Sequence, residues 1–254
     1  MAYLIYMIAG LGAGVVTGLA GLSAASVISP ILITLLGFDP FMAIGISLAS
    51  DVLASALSAA TYAKNGHMDV KGGLWLLLPA MALTVFGCIL GYSVSSTALG
   101  MVSCLFPIGL GIKFLIAKEA KPLPFVQGCS TRTRHLLSIL SGAVVGTICG
   151  FSGAGGGMMM LFLLTSLLSY ELKTAVGTSV FIMTFLALVG AISHFTMLGE
   201  INWTALVICA LSALLGAWLA SRFANRATPR LLNRVIGACL VLLGAFLTLF
   251  KFVL

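Results

Sequence analysis

The chain has 254 residues, 61% of them hydrophobic and only 7% charged, where an average soluble domain carries roughly 25% charged residues. So much apolar surface cannot be hidden in a single core of 26.3 kDa, which excludes a water-soluble fold and leaves the bilayer as solvent. The net charge of +7 is not a nucleic-acid signature, because the basic residues fall in breaks between apolar runs, at Lys64 and Lys71, Lys113 to Arg134, and Arg222 to Arg234, with Lys173 and Lys251 alone.

Taken in chain order, apolar runs set against polar breaks predict ten segments: 3–21, 24–37, 40–63, 72–94, 98–117, 135–150, 155–169, 173–198, 203–222 and 231–252. The fold class expected is all-α, a polytopic membrane protein. Met1-Ala2-Tyr3-Leu4 lacks the basic residues of a signal peptide and reads as the start of the first segment. Segments one, two, six and seven are short or interrupted by glycine, as in re-entrant hairpins that meet inside the membrane. Five of six cysteines lie inside apolar runs without C-x-x-C spacing, so no disulfide framework, metal cluster or cofactor motif is read.

The chain also resembles itself. Gly21, Ser23 and Ala25 align with Gly150, Ser152 and Ala154 at an offset of 129, while Asp39, Ala43, Gly45 and Ser47 align with Glu171, Ala175, Gly177 and Ser179 at 132. Gly66 and Asp69 align with Gly199 and Asn202 at 133, and Gly87 and Leu90 with Gly216 and Leu219 at 129. The halves expected are a first repeat over 1–117, a cytoplasmic linker over 118–134 and a second repeat over 135–254. Five segments per half is an odd number, so the second half enters from the opposite side and the repeat is inverted. With both termini outside, all basic residues except Lys251 fall on the cytoplasmic side, as the positive-inside rule requires.

Inverted repeats of this kind are a transporter architecture with its site near the midplane. The most distinctive stretch is Gly150-Phe151-Ser152-Gly153-Ala154-Gly155-Gly156-Gly157, whose partner is Gly21-Leu22-Ser23-Ala24-Ala25-Ser26. A helix that starts just after such a turn presents free N–H groups to an anion without a buried lysine. The same glycines also suit close helix packing. Candidate binding residues are therefore Ser23, Ala24, Ala25, Ser26, Ser152, Gly153, Gly155, Gly156 and Gly157, joined by Ser47, Thr178 and Ser179 from the helix openings that follow. Hydroxyls there suit an oxyanion, or a hydrogen bond to a neighbouring helix. Asp51 is the acidic residue deep in a segment, with Met183 at the matching position, and reads as a carrier of a coupled proton or cation. His194 is a candidate for gating, with Thr61 in its place in the first half.

These motifs resemble the sulfite exporter TauE/SafE family of bacterial membrane transporters over nearly the whole chain. The resemblance rests on the hairpins Gly18 to Ser26 and Gly146 to Gly157, on Ala43-Ile44-Gly45-Ile46-Ser47 and Ala175-Val176-Gly177-Thr178-Ser179, and on Gly66-His67-Met68-Asp69 and Gly199-Glu200-Ile201-Asn202-Trp203. Gly216-Ala217-Trp218-Leu219 is a further match. It implies transport, in the export direction, of small sulfur oxyanions such as sulfite, sulfoacetate or thiosulfate across a bacterial or archaeal plasma membrane. The first hairpin is poorer in glycine than the second, which shifts the expected site toward the second. The partners expected are a small anion, a coupled proton or sodium ion, lipid and, as an option, a second copy of the chain in a homodimer; no nucleic acid is expected, and no enzyme activity. Three rival readings remain: a passive anion channel, a transporter for a neutral solute, and an intramembrane serine protease using Ser152 of the Gly150-Phe151-Ser152-Gly153 string with His194.

Overall fold

A computed structural model describes residues 1–99, 101, 131–153, 155–228, 231, 234, 235 and 238. All regular structure among them is helical: α1 (Ala2–Ala20), α2 (Ala25–Leu36), α3 (Pro40–Lys64), α4 (Val70–Ser93), α5 (Thr131–Ser152), α6 (Gly155–Phe162), α7 (Leu172–Leu198) and α8 (Trp203–Arg226). A π-helical stretch, Leu163–Leu167, prolongs α6. Segments one to four and six to nine coincide with these helices to within a few residues. Most of the expected segments 98–117 and 231–252, and most of the 118–134 linker, lie outside the described residues.

Six of the helices are long and apolar enough to cross a membrane: α1, α3, α4, α5 from His135 onward, α7 and α8. The exceptions are α2 and α6. At 12 residues, α2 is only about 18 Å long, short of a hydrocarbon core of about 30 Å. Each pair, α1 with α2 and α5 with α6, is thus a long arm and a short arm joined at a buried tip.

The tips turn on glycine. Gly21 (φ 65°) and Gly153 (φ 66°) adopt the left-handed conformation that closes a helix C-terminus, and their N–H groups donate to Thr17 O and Cys149 O, both at 2.8 Å. Helix starts are equally explicit. Asp39 accepts from the N–H groups of Phe41 and Met42 to cap α3, Asp69 caps α4 through Gly72 N–H, and Asn202 caps α8 through Ala205 N–H.

Packing between arms uses glycine twice in the same way. Gly10, Gly14 and Gly18 lay α1 against the carbonyls of Cys209, Ala213 and Ala217 on α8; Gly142, Gly146 and Gly150 lay α5 against those of Leu76, Ala80 and Thr84 on α4. Lipid offers no hydrophobic drive for helices to associate, so close backbone approach of this kind supplies the dispersion contacts that hold them. The matching partners on α4 and α8 stand 133 residues apart, and the tip glycines stand 132 apart. This corrects the offset of 129 expected for Gly21 with Gly150 and for Gly87 with Gly216.

At the centre α3 packs on α7, with α8 also against α3 and α4 also against α7. Outward-facing residues of α4, α5 and α8, such as Leu78, Phe86, Leu140, Leu211 and Leu219, are apolar and exposed, as a lipid-facing surface requires. One end of the bundle gathers Lys64, Lys71, Lys173, Arg222 and Arg226 at the ends of α3 and α8 and the starts of α4 and α7. There the start of α7 meets the end of α8 through Lys173 Nζ, which donates to Asn225 O at 2.8 Å; His67 Nδ1 lies 2.9 Å from Asn225 Oδ1, and Tyr170 donates to Asp69 at 2.7 Å. A cavity of about 480 Å³ opens at this end beside Lys71, Trp75, His135 and Tyr170.

Candidate functional site

The two tips meet. A Cβ built on Gly157 would stand 2.5 Å from the Ser23 nitrogen, so the first turn of α6 lies directly on the Leu22–Ser23 backbone. Gly153 sits against the Ala25 methyl and Ile44, and Gly156 against the Cys149 side chain. Ser179 of α7 ties both hairpins together: its hydroxyl donates to Gly21 O at 2.8 Å and reaches Gly157 O at 3.4 Å. These contacts bring Ser23, Ala25, Gly153, Gly156, Gly157 and Ser179 into one fully interior cluster.

Most hydroxyls in the cluster have local work. Ser26 donates to Ser23 O at 2.7 Å, and the Ser23 hydroxyl accepts from Ala25 N–H at 3.3 Å, which closes the turn into α2 behind its N-cap, Ala24. Ser47 accepts from Ser29 at 2.8 Å and donates to Ala43 O at 2.5 Å. Ser152, the last residue of α5, donates back to Ile148 O at 3.0 Å. Thr178 does not join them. Its hydroxyl accepts from Asp69 N–H at 3.0 Å, at the basic end of the bundle.

Gly155, Gly156 and Gly157 open α6, so the N–H groups of that first turn have no side chain of their own helix screening them. The corresponding start of α2 faces a carboxyl. Asp51, fully buried on α3, accepts at Oδ1 from Ser55 at 2.9 Å and Thr17 at 3.3 Å, while the Ser23 hydroxyl and the Ala24 N–H also bear on it. Its other oxygen, Oδ2, has no hydrogen-bond partner among the described residues. Among the described residues, the groups acting on Asp51 are hydroxyls and a backbone amide.

His194 is also fully buried, packed on Phe41 with ring centroids 4.0 Å apart. Its Nε2 lies 3.1 Å from Gly150 O. Since a carbonyl only accepts, this nitrogen carries the hydrogen, and Nδ1 is left without a partner among the described residues. Ser152 and His194 therefore each bond to a backbone carbonyl rather than to each other, and the Ser–His pairing that a protease needs is not formed. Tyr62, which sequence comparison passed over in favour of Thr61, makes the same kind of bond to the first hairpin: its hydroxyl donates to Gly18 O at 3.0 Å.

At the basic end, Asp69 lies ahead of α4. Burial works to raise its pKa, but hydrogen bonds from Tyr170 and the N–H groups of Gly72 and Lys71, with the Lys71 charge, outweigh it and hold the carboxyl below its ordinary value.

Apolar helices around two broken-helix hairpins define a polytopic membrane transport protein. The model of the sulfite exporter TauE/SafE family matches residues 6–247, and the chain belongs to that family. It is similar to the probable membrane transporter protein YunE of Bacillus subtilis strain 168, with 27% identity over 256 residues covering 93% of this chain and 92% of the relative. YjnA of the same organism, another probable membrane transporter protein, is 22% identical over 92% of this chain and 95% of its own length. The probable membrane transporter protein ORF9 of a Sinorhizobium species is 25% identical over 84% of this chain and 79% of its own. No solved structure matches the chain. As a family member the protein is a membrane transporter and not an enzyme.

Proposed function

We propose that the protein is a secondary transporter that exports a small sulfur-containing oxyanion by alternating access, with the anion held where the two hairpins meet. The observation that carries the reading is the contact of Gly157 with the Ser23 backbone, bridged by the Ser179 hydroxyl. It sets the start of α6 deep within the bundle, where the partial positive charge of a helix N-terminus favours an anion and no lysine is needed. Asp51 makes the two hairpins unequal. Its carboxyl stands at the start of α2, whereas the matching residue on α7 is Met183, so the open position for a substrate is the turn Gly153 to Gly157, flanked by Ser152 and Ser179.

The two halves, 1–117 and 135–254, act in this reading as inverted repeats that rock about α3 and α7. The exchanged packing supports it, because α1 of the first half lies on α8 of the second while α5 of the second lies on α4 of the first. Clustering of the basic residues at one end supports a cytoplasmic placement for that end, with both termini outside the plasma membrane. Asp51 is the coupling residue for a proton or sodium ion, and His194 holds the second hairpin to α7 as part of the gate. The working unit is a single chain or a homodimer.

Flux into proteoliposomes tests the reading. Labelled sulfite, thiosulfate or sulfoacetate is expected to saturate, to show counterflow, and to be lost when Gly156 is replaced by valine in protein that still folds. Non-saturating flux without counterflow would instead make it a channel, and normal flux in the valine variant would remove the site from the hairpins.

A further inference from the structure

The hairpins do not account for the cavity of about 480 Å³ at the basic end. Its size falls in the range of about 300–1,000 Å³ usual for ligand pockets, and its wall combines charged, hydroxyl and aromatic groups: Asp69, Lys71, Trp75, His135, Ser169 and Tyr170. Asp69, Lys71 and Trp75 come from the start of α4, His135 from the start of α5, and Ser169 and Tyr170 from the loop behind the π-helical stretch. Ser169 is the non-glycine residue with positive φ among the described residues, at 61°. A Cβ is disfavoured in that conformation, and such strain, like a π-helical turn, gathers at sites that hold a ligand.

The charged groups are fixed in place but keep capacity for a ligand. Asp69 accepts from Tyr170 at 2.7 Å, from Gly72 N–H at 3.0 Å and from Lys71 N–H, where a carboxylate can accept about four hydrogen bonds. The Lys71 side chain acts on Asp69 through its charge and not through a hydrogen bond, so its donors are left for another acceptor. His135 lies flat on Trp75, with ring centroids 4.5 Å apart and 20° between the planes. Stacking covers the ring face and leaves the ring nitrogens at the rim, where an N–H donates in the plane. One carboxylate beside an ammonium and an imidazole complements a ligand that carries both charges; a purely anionic ligand would leave Asp69 facing a like charge.

Depth in the membrane selects the rest of the ligand. The apolar stretches long enough to cross a membrane begin at Val70 on α4 and at His135 on α5, so the cavity stands where hydrocarbon gives way to water. From there α4 and α5 run side by side in the same direction, since Gly142, Gly146 and Gly150 meet Leu76, Ala80 and Thr84 in order. Both carry exposed leucines along the way, Leu74 and Leu78 on one, Leu136 and Leu140 on the other. Charged groups at the boundary with apolar tracks leading inward match the two ends of a phospholipid.

We propose that this cavity binds the headgroup of a zwitterionic phospholipid, an ethanolamine phosphodiester, with its phosphate on Lys71 and His135, its ammonium on Asp69, and its acyl chains along the exposed leucines of α4 and α5. No covalent bond changes. The bound lipid joins the start of α4 to the start of α5 and to the Leu168–Tyr170 loop, and the inference does not depend on what the hairpins carry. Arg222 over the Trp218 ring, at 4.0 Å, is a second basic and aromatic pair at the same end but outside this cavity, and so provides a control.

Native mass spectrometry of the delipidated full chain tests this, with phosphatidylethanolamine, phosphatidylglycerol and water-soluble glycerophosphoethanolamine as probes. Phosphatidylethanolamine is expected to saturate one site roughly 10-fold more tightly than either of the other two, about the effect of one charge-assisted hydrogen bond or of the lost chains. Lys71→Ala and His135→Leu are each expected to weaken it by roughly 10-fold, Lys71→Arg to retain it and Arg222→Ala to leave it unchanged. Asp69→Asn, which keeps an oxygen for the Gly72 N–H, is expected to abolish the preference for ethanolamine over glycerol. Lys71 is exposed, so Lys71→Ala folds and decides the outcome even where another variant does not. Equal binding of the two lipids, binding unaltered in Lys71→Ala, or an equal loss in Arg222→Ala would overturn the proposal. Glycerophosphoethanolamine bound as tightly as the lipid would overturn it in favour of a soluble phosphodiester.

Discussion

Tyr62 and His194 perform one task on two helices: Tyr62 donates to Gly18 O at 3.0 Å from α3, and His194 donates to Gly150 O at 3.1 Å from α7. The carbonyls are orphans of the broken helices. Gly18 lies in the last turn of α1, which stops at Ala20, and Gly150 in the last turn of α5, which stops at Ser152, where carbonyls run short of intrahelical donors, and a side chain from the central pair donates to each. Each bond thereby fastens a hairpin to one of the two central helices.

Replacing either donor by phenylalanine leaves a buried carbonyl without a partner. Tyr62→Phe and His194→Phe are each expected to cost about 1–3 kcal/mol of stability, and His194→Gln, which keeps an N–H, less than His194→Phe. Thermal unfolding in detergent reads this, and equal loss for glutamine and phenylalanine would show that ring packing on Phe41, not the hydrogen bond, matters.

Glycine matters for a different reason at the tips than in the loops. Gly37 has φ 64° and nothing within 4 Å of a built Cβ, so Gly37→Ala meets only left-handed strain of about 1–2 kcal/mol. At Gly157 the added methyl meets the Ser23 backbone nitrogen at 2.5 Å, and neither backbone can yield without parting the hairpins. Gly157→Ala is therefore expected to abolish flux and Gly37→Ala to preserve it, as vesicle uptake on matched amounts of folded protein would show.

The hydroxyl of Ser152 is spent on Ile148 O and not activated by His194. A fluorophosphonate probe is expected to leave Ser152 unlabelled, with mass spectrometry of the intact protein as the readout. A stoichiometric adduct there would reopen the protease reading.

Asp69 gives a pH dependence of known sign. Its pKa is depressed in the folded protein, so it stabilises the fold above the ordinary carboxylate pKa, and that stability is lost as pH falls through the depressed value. Tyr170→Phe removes the 2.7 Å hydrogen bond and is expected to flatten the decline of thermal stability on acidification. An unchanged pH profile would show that the backbone caps alone hold the carboxylate.

Much of the fold is legible because the bilayer demands long apolar runs and polar breaks, and the runs end at residues that cap helices, as at Asp39, Asp69 and Asn202. Repeat register is less legible. The string Gly-x-Ser at Gly21 and Gly150 attracts an alignment by residue type, whereas equivalence in space follows the left-handed turns at Gly21 and Gly153. Tyr62 and His194 share no chemistry that a residue comparison rewards; only their common acceptor relates them. Thr178 is adjacent in sequence to Ser179, but one residue on a helix turns a side chain by about 100°, and so it serves the Asp69 loop instead of the hairpins.

The central claim is that an oxyanion binds where the hairpins meet. Thermal stability of the purified protein against sulfite, thiosulfate, sulfate, sulfoacetate, acetate and a neutral sugar, with Gly156→Val alongside, tests it most directly. A ligand at about a hundred times its Kd adds roughly 2.7 kcal/mol to the folded state. The account predicts stabilisation by a sulfur oxyanion in the unaltered protein and none in the folded Gly156→Val variant; a shift of equal size in both, or a shift with the neutral sugar alone, would contradict it.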